Sequence, residues 1–305
     1  MKCERQKTGS SEPKEVILNN EVENGNGIIE ITFPDGSKRG VPKGISLLEL
    51  LEGYEKISKP PVVAAKVDND IKELTSTISK DCKVTFLDIA DEDGMRIYRR
   101  SLHFILIKAV RSLFPERKVV IGHSISKGIF CEITGSSELT EEEVRQIEAK
   151  MRELVDARIP FVKHELSMEE AEELLVRSGR LDRLHAVEHR NKQLVTIYSC
   201  GDMYDYFYGY MAPDTGYVKE FALMYYPPGL ILMFPDRMNG CVMPVFKEQK
   251  KLFSIFREYK KWVHILGVHN VGALNDIVKS DNICELIRIS EALHEKKIAQ
   301  IADMI

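Results

Sequence analysis

The densest group of side chains that could bind a ligand is a run of tyrosines in the second half of the chain. Eight of the eleven tyrosines fall between Tyr198 and Tyr226. Four of them alternate along the sequence, as one face of a strand would require, namely Tyr204, Tyr206, Tyr208 and Tyr210. Phenol rings can stack on a nucleobase, and their hydroxyls can bond a sugar or a phosphate. The same residues could instead pack as a half-buried sheet face, and both interpretations stay open.

The opposite face of that predicted strand is mostly apolar. It carries Asp205, Phe207, Gly209 and Met211. We therefore expect a cleft with Asp205 as its polar anchor, which could hold a ligand without reacting with it.

Two basic segments could contact phosphates. Between positions 96 and 118 there are seven cations and a single acid, Glu116. These cations are Arg96, Arg99, Arg100, Lys108, Arg111, Arg117 and Lys118. A second run, over 247–261, is interleaved with Phe253, Phe256 and Trp262, so docking against another domain explains it at least as well as RNA does. Charges on a solvated helix face are the simpler explanation of the first segment.

Several classes of protein are excluded by what is missing. The chain contains no G-x-x-x-x-G-K-[ST] and no G-x-G-x-x-G, so it offers no argument for ATP or dinucleotide binding. The net charge of -4 argues against coating of nucleic acid by charge alone. The six cysteines are scattered, the opening segment is polar, and no apolar run reaches about 18 residues. We expect a cytoplasmic protein with reduced thiols and no membrane partner.

The 305 residues predict two or three domains. Residues 1–27 are typical of a flexible leader. Over 28–90 the order strand, strand, helix, strand, strand predicts a small β-grasp domain. A Pro-Asp-Gly-Ser turn at 34–37 indicates its hairpin, and a capping box of Ser46 with Glu49 indicates its helix.

A larger α+β domain is predicted over 95–240, so the fold class is α+β. After an acidic hinge at 88–94 a helix should run over 95–114, and capping boxes at Thr140 and Ser167 announce two more helices. Strands are predicted over 119–125, 128–133, 193–198, 204–211, 218–226 and 230–234. Residues 245–305 should be a helical tail, with a first apolar stripe of Leu252, Phe256, Tyr259 and Val263.

Four segments resemble threonyl-tRNA synthetases. ITFPDGSKRGVP is similar to the TGS domain, and RRSLHFILIKAVRSLFPERKVVIGHSISKGIF is similar to the start of the second additional domain. LTEEEVRQIEAKMRELVDARIPFVKHELSMEEAEELL and GDMYDYFYGYMAPDTG continue the resemblance, which covers about 28–240. It implies a ubiquitin-like TGS domain followed by an editing-like domain of the threonyl/alanyl-tRNA synthetase type.

In that family the second domain clears mischarged tRNA with an H-x-x-x-H on a helix and a C-x-x-x-H on a strand. The resemblance places Arg100 and Phe104 at the helix positions, and Phe207 and Met211 at the strand positions. A guanidinium stays protonated, a phenyl ring has no lone pair to offer, and a thioether suits copper better than zinc. His103 lies about 100° around the helix from the required direction. We therefore expect a degenerate editing site with no metal and no catalytic residue.

The blocks RRSLHFILIKAV, DYFYGYMAPDTG and YYPPGLILMFPDR look more similar to the amino-terminal half of bacterial nucleoside kinases of the uridine kinase type. There a synthetase-like module precedes a P-loop kinase domain, which in this case would lie beyond residue 305. The resemblance implies a non-catalytic regulatory module whose partners are the attached kinase domain and a nucleoside, nucleotide, amino acid or tRNA. This chain would hold no cofactor, and ATP and magnesium would enter only with the kinase domain. The possible ligand-binding residues are Arg100, His103, Asp205, Tyr206 and Tyr208.

Two alternatives remain. The chain could be a free-standing deacylase of mischarged aminoacyl-tRNA, with water positioned by Asp205 and His103. It could also be a structural module whose helical tail and tyrosine-rich sheet build an oligomer.

Overall fold

The protein has a mixed α+β fold, with three separate sheets among its described residues and a helical carboxyl-terminal segment, which confirms the predicted fold class. The computed structural model describes residues 27–52, 60–135, 137–179 and 194–305. The predicted leader over 1–27 lies outside the described residues, apart from Gly27.

The first sheet has five strands around one short helix. The strands are β1 (Ile28–Thr32), β2 (Lys38–Pro42), β3 (Val62–Val67), β4 (Asp70–Glu73) and β5 (Cys82–Asp88). Their order is β2-β1-β5-β3-β4, and β1 and β5 are parallel. Helix α1 (Leu47–Glu52) begins at the predicted capping box, because the Glu49 amide donates to Ser46 Oγ at 3.2 Å and the Ser46 amide donates to Glu49 Oε2 at 2.9 Å. Leu47 and Leu50 of α1 pack in the same core as Ile31 and Val84 of the sheet.

Helix α2 (Glu92–Leu113) begins three residues before the predicted position. The acidic segment that we predicted as a hinge supplies its first turn, where Glu92 and Asp93 complement the positive end of the helix dipole. Gly94 serves close packing: a Cβ atom there would lie 1.9 Å from the carbonyl oxygen of Asp88.

A four-stranded antiparallel sheet lies beside α2. It contains β6 (Lys118–Ile125), β7 (Gly128–Thr134), β11 (Ala222–Tyr226) and β12 (Gly229–Met233), in the order β11-β12-β7-β6. The strand predicted over 218–226 is shorter than expected: residues 218–221 pair with no other described strand, and β11 begins at Ala222. Helix α3 (Glu141–Asp156) starts at the predicted Thr140 capping box.

The third sheet contains the first part of the tyrosine-rich segment, and the residues after its last strand pack against α2. It contains β8 (Phe161–Ser167), β9 (Leu194–Cys200) and β10 (Met203–Tyr206) in the order β10-β9-β8, with α4 (Met168–Arg177) starting at the Ser167 capping box. We did not predict β8, whose residues are mostly exposed or half-buried. The strand predicted over 204–211 is wrong beyond Tyr206, because the backbone turns away and Gly209 takes a φ of 104°.

Three helices follow: α5 (Lys250–Ile265), α6 (Val271–Lys279) and α7 (Ile283–Ala302). The apolar stripe predicted for α5 is wrong at Leu252 and Tyr259, which are 38% and 62% exposed, whereas its other two members are half-buried. Phe253 is buried instead, with its ring 5.0 Å from that of Phe130 in the four-stranded sheet. Among the described residues, no helix combines the length and the apolar character needed to span a bilayer.

Candidate functional site

The four positions that the resemblance assigns to editing ligands converge on one stretch of α2. Phe104 is fully buried, and its ring centroid lies 5.0 Å from that of Phe207 and 5.6 Å from that of Phe161. Met211 is 1% exposed, and its sulfur lies 3.7 Å from Ser101 Oγ. The expectation that Phe207 and Met211 share a strand face is wrong, because both follow the end of β10. They still pack against α2, so the space between these elements is filled by rings and a thioether.

Arg100 occupies the remaining position and holds the backbone of the 207–211 loop. Its guanidinium donates a hydrogen bond to the carbonyl oxygen of Tyr210. A Cβ atom at Gly209 would lie 2.7 Å from Arg100 Nη2, and the φ of 104° is one that residues with a side chain rarely adopt, so both features favour glycine here. Burial lowers the pKa of Arg100, while Tyr198 and Glu73 act in the opposite direction. The group remains a cation and cannot ligate a metal.

Glu73 ties the first sheet to this loop, and the sequence analysis missed it. Its Oε1 atom accepts hydrogen bonds from the Tyr198 hydroxyl at 2.6 Å and from the Met211 amide at 3.0 Å. Burial, and next the Glu73 carboxylate, raise the pKa of Tyr198, so its hydroxyl stays protonated as a donor. Glu73 ends a short strand that lies 125 residues from Tyr198, and no local pattern pairs the two.

His103 lies on α2 next to these positions. Its Nε2 atom is buried without a hydrogen-bond partner, although part of the residue reaches the surface. Burial first, then the positive charges of Arg99 and Arg100, lower the pKa of His103 to about 4. The imidazole is therefore neutral at neutral pH.

The tyrosines and Asp205 do not form the single strand face that the alternation predicted. Tyr204 and Tyr206 lie on β10 and pack in a small core with Leu175 and Ile197 of α4 and β9. Tyr208 lies beyond the strand and is 77% exposed. Tyr210 packs against the main core instead.

Asp205 is fully buried on β10, and its Oδ1 atom accepts the amide of Tyr206 at 2.7 Å. Part of its hydrogen-bonding capacity therefore stabilises the end of the strand. Its use as a ligand anchor stays a prediction.

The histidine and cysteine pattern of the resembled family is one that suits zinc. The residues at the matching positions of this chain cannot bind that metal. Tetrahedral zinc needs thiolate, imidazole or carboxylate ligands, and the four family positions supply none of them. Within the described ranges, no three His, Cys, Asp or Glu side chains are grouped so that they could hold a metal ion. We therefore derive no metal-dependent step.

Comparison with known proteins places the chain close to one group of enzymes. No family model matches it. It is 32% identical over 198 residues to a threonine-tRNA ligase of Symbiobacterium thermophilum, covering 65% of this chain and 30% of that protein. The threonine-tRNA ligase of Clostridium kluyveri is 29% identical over 243 residues, covering 78% of this chain and 38% of that protein. That of a Geobacter species is 30% identical over 195 residues.

This chain thus spans about a third of the length of the curated relatives it matches. It resembles part of a threonine-tRNA ligase, which agrees with the first resemblance stated from the sequence. These relatives include no kinase, so they do not support the resemblance to nucleoside kinases.

Proposed function

We propose that this chain is a non-catalytic module that binds a small ligand or RNA on a synthetase-like scaffold. One observation carries the proposal: the positions of the family's editing ligands hold a cation, two phenyl rings and a thioether, and Phe104 is closed over by Phe161 and Phe207. None of these groups can activate water for hydrolysis. The relatives act in joining threonine to tRNA, so tRNA and an amino acid are candidate ligands alongside a nucleoside or nucleotide.

The competing function is hydrolysis of mischarged tRNA, with water held by Asp205 and His103. The test is release of the amino acid from threonine-specific tRNA charged with serine, measured with the full chain. The proposal expects no release above buffer. Release that disappears in Asp205→Asn, a substitution that keeps the shape of this buried side chain, would establish the deacylase instead.

Binding by the predicted residues can be tested at the exposed Tyr208. Calorimetric titrations with uridine, threonine and threonine-specific tRNA should find one ligand that binds. Tyr208→Ala should weaken the binding of that ligand about tenfold, because one stacking contact with a base or ring is lost. Tyr259→Ala is the matched control, because Tyr259 is a 62% exposed tyrosine on another element, α5. Equal affinity of the two variants would remove Tyr208 from the site.

We further propose that the module regulates a nucleoside kinase of the uridine kinase type, with a P-loop domain after residue 305. The blocks RRSLHFILIKAV, DYFYGYMAPDTG and YYPPGLILMFPDR support it, since that branch also lacks the histidine and cysteine ligands. The parent gene should then encode an in-frame G-x-x-x-x-G-K-[ST] within about 40 residues of Ile305. A stop codon directly after Ile305 would refute the kinase link without affecting the binding proposal.

The domain organisation that goes with this function is a TGS domain over 28–90, an editing-like domain over 95–240 and a helical linker over 245–305. The first sheet has an apolar core of its own around Ile31, Leu47 and Val84, which supports a folded unit over 28–90. Val63 and Leu87 of the same sheet pack in the core around α2, so the two units share an apolar contact. Limited proteolysis should cut within 245–305 before it cuts either core. Early cleavage inside 95–240 would contradict this division.

A further inference from the structure

The carboxyl-terminal half of α2 lines a cavity of about 510 Å³ that the degenerate site does not include. The cavity lies between α2, the end of α4 and the start of β10. We call it the cationic pocket, and its charged and serine lining side chains are Lys108, Arg111, Ser112, Arg177, Ser178 and Asp202. Lys108 is two helical turns from Arg100, or about 12 Å along the axis, so the two sites are separate.

The charges of the cationic pocket favour an anion. Its described lining has three cations and one acid, Asp202. Two helices also end there, and each contributes about half a negative charge. The balance is about one positive charge, concentrated in one concave site.

Lys108 and Asp202 form an ion pair in which an incoming anion could replace the Asp202 carboxylate. Lys108 is 7% exposed, so its ammonium group has little contact with water, whereas the Asp202 side chain is 93% exposed. The hydrogen bond from Lys108, and next its positive charge, lower the pKa of Asp202. Asp202 can turn into solvent at little cost, and Lys108 would then present its charge to a ligand in the cationic pocket.

Arg111 and Arg177 supply the remaining positive charge. One nitrogen of the Arg111 guanidinium donates to the carbonyl oxygen of Ser178, which fixes the group and offsets the negative end of α4. A guanidinium has five N–H donors, so the bond to Ser178 leaves others to face the cavity. Arg177 is exposed at the end of α4.

The other lining residues suit an organic group attached to the anion. Leu174, Met203 and Tyr204 form an apolar side of the cationic pocket. Its volume lies within the range of small-molecule sites, about 300–1,000 Å³, and exceeds what one phosphate needs. We propose that the cationic pocket binds a phosphate monoester, with the phosphate at Lys108 and Arg111 in place of the Asp202 carboxylate and the organic group against Tyr204.

The phosphate could belong to a free nucleotide or to the end of an RNA strand. Calorimetric titration of the full chain with uridine 5′-monophosphate, uridine, inorganic phosphate and RNA oligomers with and without a terminal phosphate separates these sources. The monophosphate should bind at least tenfold more tightly than uridine. Binding only by the oligomer with a terminal phosphate would assign the site to RNA ends, still as a phosphate monoester site. Equal affinity for uridine and its monophosphate, or no binding of any monoester, would overturn the inference.

Substitutions that should change the affinity for the monoester in opposite directions make the test specific. Arg111→Gln should weaken monoester binding about tenfold, the loss of one charge-assisted hydrogen bond. Arg177→Gln should weaken it about threefold, because it removes a nearby positive charge that does not bond the phosphate directly. Asp202→Asn should tighten monoester binding several-fold, because the substitution removes the competing carboxylate. Arg257→Gln removes an equal charge from the exposed side of α5 and should change nothing.

The directions of these changes also distinguish a binding role from a general loss of folding. Arg177 is exposed, so its substitution keeps the test valid should Arg111→Gln fail to fold. Weaker or unchanged binding in Asp202→Asn would overturn the exchange of Asp202 for phosphate. Because the cationic pocket is separate from Tyr208, Tyr208→Ala should leave monoester binding intact, so failure here and failure of the proposed ligand site are distinguishable.

Discussion

Acidification should destabilise the protein through His103. Its pKa is about 4 in the folded chain, against 6.5 for an ordinary histidine. Between these values the unfolded chain binds a proton that the folded chain does not, so protons favour unfolding. The stability contributed by the neutral imidazole is fully present above about pH 6.5 and is lost as the pH falls toward 4.

The size of the effect follows from the difference in pKa. A pKa difference of about 2.5 corresponds to a loss of about 3 kcal/mol in the free energy of unfolding once the pH is below both values. At pH 5, where the folded state still resists protonation, the loss is about 2 kcal/mol. Because Nε2 is buried, solvent cannot screen its charge when it is protonated. Most of the pKa difference therefore contributes to the stability of the folded chain.

The assay compares the chain with His103→Leu in urea unfolding at pH 7 and pH 5. Leucine removes the titrating group and an unsatisfied buried nitrogen, so the variant should lose about 2 kcal/mol less than the original chain on acidification. All other titrating groups are common to both proteins and cancel. His294→Gln, at an exposed position on α7, is the matched control and should behave as the original chain does.

Proton NMR of the imidazole gives an independent reading of the same quantity. The His103 ring signals should not shift until the pH approaches 4. A midpoint near 6.5, together with equal acid sensitivity of His103→Leu and the original chain, would refute the account of a dry interior beside Arg99 and Arg100.

Three further substitutions test the packing around α2 by thermal or urea unfolding. Phe104→Ala should cost about 3–5 kcal/mol, because the ring is fully buried between two others, whereas Leu113→Ala at a partly exposed position should cost much less. Gly209→Ala combines an unfavourable φ of 104° with a collision against a guanidinium and should cost more than Gly267→Ala, where a φ of 70° meets open space. Glu73→Gln should cost about 1–3 kcal/mol, since the bonds to a tyrosine hydroxyl and a backbone amide lose their charge assistance. Equal costs within either pair, or no cost for Glu73→Gln, would contradict the described contacts.

Local signals in the sequence were accurate where a structure depends on neighbours along the chain. The capping boxes at Ser46, Thr140 and Ser167 each begin a helix, and the 34–37 turn joins β1 to β2. A capping box satisfies its own amides within four residues, so its outcome is largely independent of the rest of the fold. The hinge predicted over 88–94 was placed too far along the chain, because Asp88 ends β5, a turn follows it, and residues 92–94 already belong to α2.

Contacts between distant segments escaped prediction. Alternating tyrosines predicted a strand through Met211, but Arg100 and Glu73 hold the backbone after Tyr206 in another path. On α5 the helical period allowed more than one apolar stripe, and packing against Phe130 selected Phe253.

The sequence by itself determined the α+β class, the positions of most helices and strands, and the chemical types at the four degenerate positions, because periodicity and residue identity are local properties. Only the tertiary structure decided that these positions close into a packed interior, that Glu73 ties the first sheet to the 207–211 loop, and that Lys108, Arg111 and Arg177 meet around one cavity. Those arrangements depend on segments up to 138 residues apart, whose approach is set by burial of the whole core and by no pattern within either segment.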